Sequence, residues 1–376
     1  MSDAAVSPTI LQMDVGAFYR RRRTEVDAAI ARVLNSGWFI LGGECAAFEA
    51  EFAEAFGYGG SVGVANGTDA LTLALRALGI GPGDRVATVS HTAVATVAAI
   101  EMAGAVPVLV DVDDETLTMD PAELHGALAT TAGIRAVVVV HLYGQPADLG
   151  ALAPICREFG VRLVEDCAQA HGATIGGVYV GGHGDAAAFS FYPTKNLGAF
   201  GDGGAVAARD PAVLERVRAL RQYGWVKRYV SEIAGVNSRL DELQAAILRV
   251  RLPELAADNE RRRTIAASYD QGLRSEALRL PYRSEDSRHV FHQYVIRVAD
   301  RDRVAARLKA VGVGVNIHYP EPVHLQAAYR GRLACGPSGL ANSEAAARSV
   351  LSLPMYPELA DADIERVIRA LRAALQ

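Results

Sequence analysis

From about Ser61 to Ala208, short apolar runs rich in β-branched residues alternate with segments whose apolar positions recur every three or four residues. A strand covered on both faces reads as a continuous apolar run, and a helix packed on a sheet reads as a 3.6-residue stripe. The alternation therefore predicts a mostly parallel sheet with crossover helices. Seven strands are expected: Ser61–Ala65, Arg85–Ser90, Pro107–Val112, Ala136–His141, Arg162–Glu165, Ala186–Ser190 and Gly204–Ala208. Between them Thr68–Leu78, Ala93–Ala103, Pro121–Ala129 and Leu149–Glu158 carry helical spacing or a helix-opening Asp-Pro and close right-handed crossovers. Near Arg239 the texture changes. Leu240, Leu243, Ile247 and Val250 keep helical spacing until Pro253 interrupts it. Beyond lie an alternating strand (Tyr294, Ile296, Val298), a helix over Arg303–Val311 and a strand over Val313–His318. A last helix carries Ile364, Val367, Ile368, Leu371 and Leu375 on one face. The expectation is an α/β protein with a large unit over 1–249, N-terminal arm included, and a smaller α+β unit over 250–376. No repeat or low-complexity linker separates the two, so they are expected to pack closely.

Composition narrows the function classes. The 376 residues are half apolar and 22% charged, with a net charge of −5, which excludes disorder and a generally basic nucleic-acid surface. Any anionic ligand must then be met by local groups. Charge-free stretches such as Cys167–Gly184 are broken by Gly and His and stay short of the roughly 18 continuous apolar residues of a membrane span. Asp3 near the start, and an Arg20–Arg23 run without an apolar region behind it, argue against a secretory signal, so a cytoplasmic protein is expected. Cys45, Cys156, Cys167 and Cys335 lie far apart with no CxxC pair, which supports neither a zinc ribbon nor a disulfide framework. His318 and His324 match no standard zinc spacing, so no metal is expected. Arg20–Arg23 and Arg261–Arg263 have acids nearby and read as solvated faces.

Three segments carry chemistry. Asn66-Gly67-Thr68-Asp69 leaves a strand and opens a helix; its free amides, a close-approach glycine and a hydroxyl suit a phosphate, although an ordinary helix cap has the same composition. Arg162 to Asp166 is an apolar strand ending in a carboxylate, at the sheet edge where α/β folds hold ligands, and Gln169 and His171 follow. Asp166 there would favour a protonated heteroaromatic nitrogen. Ser190-Phe191-Tyr192-Pro193-Thr194-Lys195-Asn196 sets a lysine among aromatics, with glycines following; loss of water would raise its neutral, nucleophilic fraction. In this order, phosphate turn, strand-end Asp and lysine loop suggest pyridoxal phosphate.

The combination resembles the sugar aminotransferases of the DegT/DnrJ/EryC1/StrS family, which have the fold-type I architecture. The likeness runs from about Asp14 to the C-terminus. It rests on Ser36-Gly37-Trp38-Phe39-Ile40-Leu41-Gly42, the three segments above and Gly235-Val236-Asn237-Ser238-Arg239-Leu240-Asp241-Glu242-Leu243-Gln244. The resemblance implies that Lys195 bonds the cofactor aldehyde and moves the proton, Asp166 pairs with the pyridine nitrogen and Gln169 lies near the ring hydroxyl. It further implies that Gly67, Thr68 and Ser190 hold the phosphate and that Asn237 reaches it from the neighbouring subunit of a homodimer. Where the family often stacks an aromatic on the ring this chain has Ala93, and His91 is expected to cover the ring instead. Trp38, Phe39, Tyr192, Arg239, His318, Tyr319 and His324 are expected to face the substrate. By resemblance L-glutamate donates nitrogen, leaving the pyridoxamine form, and a nucleotide-linked keto-deoxysugar, a dTDP derivative aminated at C3, accepts it. Amination at C4, a keto-cyclitol acceptor and a non-catalytic regulatory protein that binds the cofactor remain the alternatives. Lys195 argues against relatives that carry His there and remove a sugar hydroxyl.

Overall fold

A computed structural model describes residues 9–275 and 277–376, so Asp3 and the first residues of the expected large unit lie outside the described residues. The seven expected strands all form, as β1 Gly60–Val64, β2 Arg85–Val89, β3 Val106–Val110, β4 Ile134–Val140, β5 Arg162–Asp166, β6 Ala186–Ser190 and β7 Gly204–Ala208. An eighth, Ala334–Cys335, comes from the C-terminal part and pairs in parallel with β3, giving a sheet in the order β1-β7-β6-β5-β4-β2-β3 and then that edge pair. Only β7 runs antiparallel to its neighbours. The two-residue edge strand was not foreseen, because so short a pairing is fixed by where the chain passes rather than by its own pattern.

Alternate residues of β4 enter two separate cores, as a doubly covered sheet demands. Val137 and Val139 join Phe48, Phe52, Phe189 and Phe191 on one face. Val138 joins Val62, Val64, Leu73, Leu75 and Val164 on the other. The helix α1 Gly67–Ala77 is buried at Ala70–Leu75 and Ala77, so it crosses the middle of the second face and its N-terminus is held at the sheet edge.

The helix predicted from Leu243, Ile247 and Val250 is α2 Glu242–Arg251, and Pro253 falls in a single 3-10 turn before the long helix α3 Leu255–Leu273. A third core gathers Ile265, Tyr269, Tyr294, Ile296, Leu308, Leu351, Val367 and Leu371 around a three-stranded antiparallel sheet. Ile10 joins this core, its backbone pairing with Gly312 and Gly314. The expected strand over Val313–His318 is a correction. Only isolated bridges form there, Val313 to Ile10 and Asn316 to Ser352, and Gly314 packs so closely on the Ile10–Gln12 backbone that a Cβ would lie 2.9 Å from Gln12 N. Among the described residues no helix is long and apolar enough to cross a membrane.

Candidate active site

The segments leaving β1, β2, β5 and β6 open on one edge of the sheet and line a cleft of about 340 Å³, closed from the other side by His292, Gln293, His318 and Tyr319. Parallel strands bring their C-terminal ends to one edge, which is why residues far apart in sequence meet there.

Asn66 caps α1, its Oδ1 accepting from the Asp69 amide at 2.8 Å. The Asp69 carboxylate accepts instead from the Ser238 hydroxyl at 2.6 Å, and Ser238 also accepts from the Ala65 amide, so the turn is tied to the segment carrying Asn237. Gly67 and Thr68 face the cleft beside Ser190, and a Cβ on Gly67 would lie 2.6 Å from Ser190 Cβ. Helix capping is present, with the Asp69 amide satisfied by Asn66 Oδ1 and the Ala70 amide by Asn66 O, which leaves the Gly67 and Thr68 amides as the groups an anion in the cleft could meet.

Asp166 lies at the cleft floor, 6% exposed. Thr96 donates to its Oδ2 at 2.9 Å and the Ala168 amide to its Oδ1 at 3.1 Å. Burial pushes its pKa up, against these two bonds and the nearby Lys195. A cation placed opposite would therefore be held strongly in its charged form. Lys195 lines the same cleft, and its side chain has no hydrogen-bond partner among the described residues. Burial brings its pKa down from 10.5 to about 8, with Asp166 opposing the shift. That fulfils the requirement for an amine nucleophile near neutral pH.

Gln169 is oriented from both ends, taking the Tyr143 amide on Oε1 at 2.6 Å and donating to the Tyr319 hydroxyl at 3.1 Å. Of the residues expected from sequence, Gly67, Thr68, Asp166, Gln169, Ser190, Tyr192, Lys195, His318 and Tyr319 line the cleft. Six do not. His91 is fully buried, its Nε2 bonded to the Tyr143 hydroxyl at 2.8 Å, so the expectation that it covers a cofactor ring is corrected; Thr92, Ala93 and Ala95 line that wall. His324 turns away too, with Nδ1 2.7 Å from Ser90 Oγ and Nε2 3.4 Å from Glu344. Trp38, Phe39 and Asn237 stand exposed on the chain surface, and Arg239 is half-buried off the cleft. Thr96 and His292 were missed. Thr96 lies in the first turn of the helix Val94–Met102, which the apolar spacing located without showing which of its polar side chains meets Asp166, whereas His292 gives no sequence signal because only the packing of the C-terminal part carries it there.

One buried group, His141, Glu165 and Cys167, has the spacing of metal ligands. Its lone pairs are committed. The Ala147 amide donates to His141 Nδ1, so the ring proton is on Nε2 and goes to Glu165. Glu165 also accepts from the amides of Gly181, His183 and Gly184. Burial raises its pKa, but these bonds outweigh it and hold the carboxylate below its ordinary range. The group anchors the strand end that presents Asp166.

Relatives match this chain over nearly its whole length. A transaminase of Streptomyces venezuelae, dTDP-3-amino-3,4,6-trideoxy-alpha-D-glucose transaminase, is 47% identical over 374 residues, which are 99% of this chain and 98% of that protein. The crystal structure of S. venezuelae DesV in complex with a ketimine intermediate superposes with a TM-score of 0.95 at 47% identity, covering 98% of this chain and 99% of that one. NtdA from Bacillus subtilis, with bound cofactor PMP, gives a TM-score of 0.90 at 27% identity, over 100% of this chain and 87% of that one. The family model matches residues 21–372, and the chain belongs to the DegT/DnrJ/EryC1/StrS aminotransferase family.

Proposed function

We propose that this protein transfers an amino group from L-glutamate to C3 of a nucleotide-linked keto-deoxysugar, a dTDP derivative, with pyridoxal phosphate as its cofactor. The observation that carries the reading is Lys195: an amine without a hydrogen-bond partner among the described residues, its pKa brought down to about 8, in the same cleft as the buried carboxylate Asp166 and an open anion cradle at Gly67. The cofactor fits these residues. Its phosphate suits the amides that open α1 and the hydroxyls of Thr68 and Ser190, since only a glycine at 67 leaves room beside Ser190. Its ring nitrogen suits Asp166, which lacks a counter-cation other than Lys195, and its ring hydroxyl suits the fixed amide of Gln169.

The cofactor, when bound, supplies the electron sink into which charge from the cleaved C–H bond is delocalised. Asp166 would keep the ring nitrogen of a bound cofactor protonated, and Thr96 and the Ala168 amide fix its carboxylate without neutralising it. Lys195 is the amine that would hold the cofactor, and, when the incoming amine has released it, its buried side chain would be the base that takes the proton from the donor carbon and returns it one atom pair away. Ala93 leaves one wall of the cleft open where an aromatic would stand.

Homodimerisation belongs to the reading. Exposed apolar side chains concentrate at Leu34, Trp38, Phe39 and Ile40 and again from Tyr223 to Val236, next to Asn237. A second copy covering them is supported by the clustering of these exposed apolar side chains, and would bring Asn237 to the partner's phosphate cradle and Trp38, Phe39 and Arg239 toward a shared substrate cleft. We divide the chain accordingly into a cofactor-binding unit over 1–249 and a smaller unit over 250–376, in a cytoplasmic enzyme.

The test is the visible absorbance of purified protein with pyridoxal phosphate, before and after L-glutamate, with Lys195→Ala alongside. A visible band that bleaches with glutamate in the wild type and never forms in the variant is the expected result. Absence of the band in the wild type would sink the reading. A band indifferent to glutamate would favour a silent cofactor binder.

A further inference from the structure

Tyr143 does not line the cleft, yet each of its polar groups holds a residue that does. It occupies the short 3-10 turn Leu142–Gly144 after β4, with φ at +60° and its side chain buried. Its amide donates to Gln169 Oε1 at 2.6 Å, its carbonyl accepts from the Gln293 amide at 3.2 Å, and its hydroxyl donates to the carbonyl of His318. Gln169 lies just past β5, whereas Gln293 and His318 lie on two separate segments of the C-terminal part that closes the cleft. A non-glycine residue in left-handed backbone is strained and persists where the surroundings dictate it. Three bonds to three separate segments of the chain are such surroundings.

His91 completes the device. The His318 carbonyl can only accept, so the Tyr143 proton points there and the hydroxyl lone pair must receive a proton from His91 Nε2, 2.8 Å away. This fixes the tautomer of His91 and leaves Nδ1 a buried lone pair without a partner. A buried polar atom left unpaired is a cost that a purely structural histidine would shed. The neighbouring residue Ser90 bonds the far end of the same loop, its carbonyl to the Val323 amide at 3.0 Å and its hydroxyl to His324. Consecutive residues at the end of β2 therefore hold both ends of the segment 318–324 that carries Tyr319 over the cleft.

We propose that Tyr143, with His91 as its fixed donor, is a positioning residue for the acceptor half of the reaction, setting His318 and Tyr319 against the sugar. The proposal rests on the transaminase reading above. Lys195 and Asp166 have no hydrogen bond to His318 or Tyr319, and Gln169, which does bond Tyr319, keeps its bond to the Tyr143 amide when only the Tyr143 hydroxyl is removed; an acceptor sugar larger than glutamate must reach that side of the cleft.

Tyr143→Phe removes only the hydroxyl. The two halves are read separately: bleaching of the visible band by L-glutamate in single turnover, and recovery of the band on adding dTDP-3-keto-4,6-dideoxyglucose to the aminated enzyme. The expected result is a glutamate half-reaction within about twofold of wild type and a roughly tenfold rise in the acceptor concentration giving half-maximal recovery. His91→Leu is expected to reproduce this split and His91→Gln, which keeps an N–H donor, to reverse most of it. This pair decides the matter if Tyr143→Phe fails to fold. Equal losses in both halves, or an acceptor half-reaction unchanged in Tyr143→Phe and His91→Leu, would overturn the proposal. A wild-type band that ignores glutamate would overturn the transaminase reading itself, and the assignment to its acceptor half with it.

Discussion

At the scale of single residues, reactivity follows from burial. Lys195 titrates at about 8 because water is withdrawn from it, and Asp166 opposes that shift without cancelling it. Capture of pyridoxal phosphate by the apo-protein needs the neutral amine, so its rate should rise with pH to half its maximum near pH 8; a midpoint near 10.5, the ordinary lysine value, would refute the burial argument. The sign for stability follows. Between about pH 8 and 10.5 the unfolded chain holds a proton at Lys195 that the folded apo-protein has lost, so this group makes folding more favourable as pH rises through that window. Gly67 supplies a steric counterpart. In Gly67→Ala the new methyl would lie 2.6 Å from Ser190 Cβ, forcing the turn away from the cradle. The expected outcome is at least a roughly tenfold weaker affinity for the cofactor, about 1.4 kcal/mol, read by titrating the apo-protein with pyridoxal phosphate and following the visible band.

Helices and strands were legible where their own side chains decide them. The stripe Leu243, Ile247, Val250 located α2, and the Asn66-Gly67-Thr68 turn located the start of α1 within a residue. Their mutual fixation was not legible, because it runs through carboxylates distant in sequence. Glu242, at the start of α2, accepts from the amides of Gly42, Glu44 and Cys45, capping the helix Gly43–Phe56 that lies about two hundred residues earlier. Asp111, just past β3, does the same for the helix Ala341–Ser349, taking the amides of Asn342 and Ser343 and the Ser343 hydroxyl. Amides satisfied by a charged oxygen are worth about 1.5–3 kcal/mol each, and a lost acceptor leaves buried donors unpaired. Glu242→Gln should therefore lower stability by on the order of 2 kcal/mol, visible as a reduced Tm, while the visible band of the cofactor still forms. An unchanged Tm would show that this cap is dispensable.

For the whole molecule, two expectations concern assembly and pH. If each cleft is completed by the partner's Asn237, then Lys195→Ala and Asn237→Ala homodimers are both impaired, but subunit exchange between them creates one intact cleft per mixed dimer. Recovery of activity on mixing, beyond the sum of the separate variants, is the expected outcome; no recovery would show that Asn237 does not complete the partner's cleft. Acid sensitivity follows from histidines buried in neutral form. Burial brings the pKa of His91 and of His318 down from 6.5 to about 4 and that of His171 to about 3, and holds His289 and His292 well below the ordinary value. As pH falls below 6.5 the unfolded chain takes up protons that the folded chain refuses, so stability declines toward pH 4. The urea midpoint should be lower at pH 5.5 than at pH 7.5 by at least roughly 1 kcal/mol in equivalent free energy; equal midpoints would mean that these rings are hydrated or paired.

The chain by itself determined the local elements and the chemistry of the cleft floor. Periodicity is a property of consecutive residues, so the seven strands, the crossover helices and the terminal helix Asp361–Leu375 could be read from it. Gly67, Asp166 and Lys195 could be read as well, because each ends a strand or follows one, and the ends of parallel strands necessarily share an edge. Only the tertiary structure decided what depends on the C-terminal part returning over that edge: the strand Ala334–Cys335 beside β3, His292 in the cleft, and Ile10 in the small core. It also decided against His91 as a ring cover. Side-chain direction at a strand end is set by what packs behind it, and behind β2 stands Tyr143, brought there by β4 and held by Gln169 and His318. No local pattern encodes such a contact, since its partners lie dozens to hundreds of residues apart and meet only once the sheet has formed.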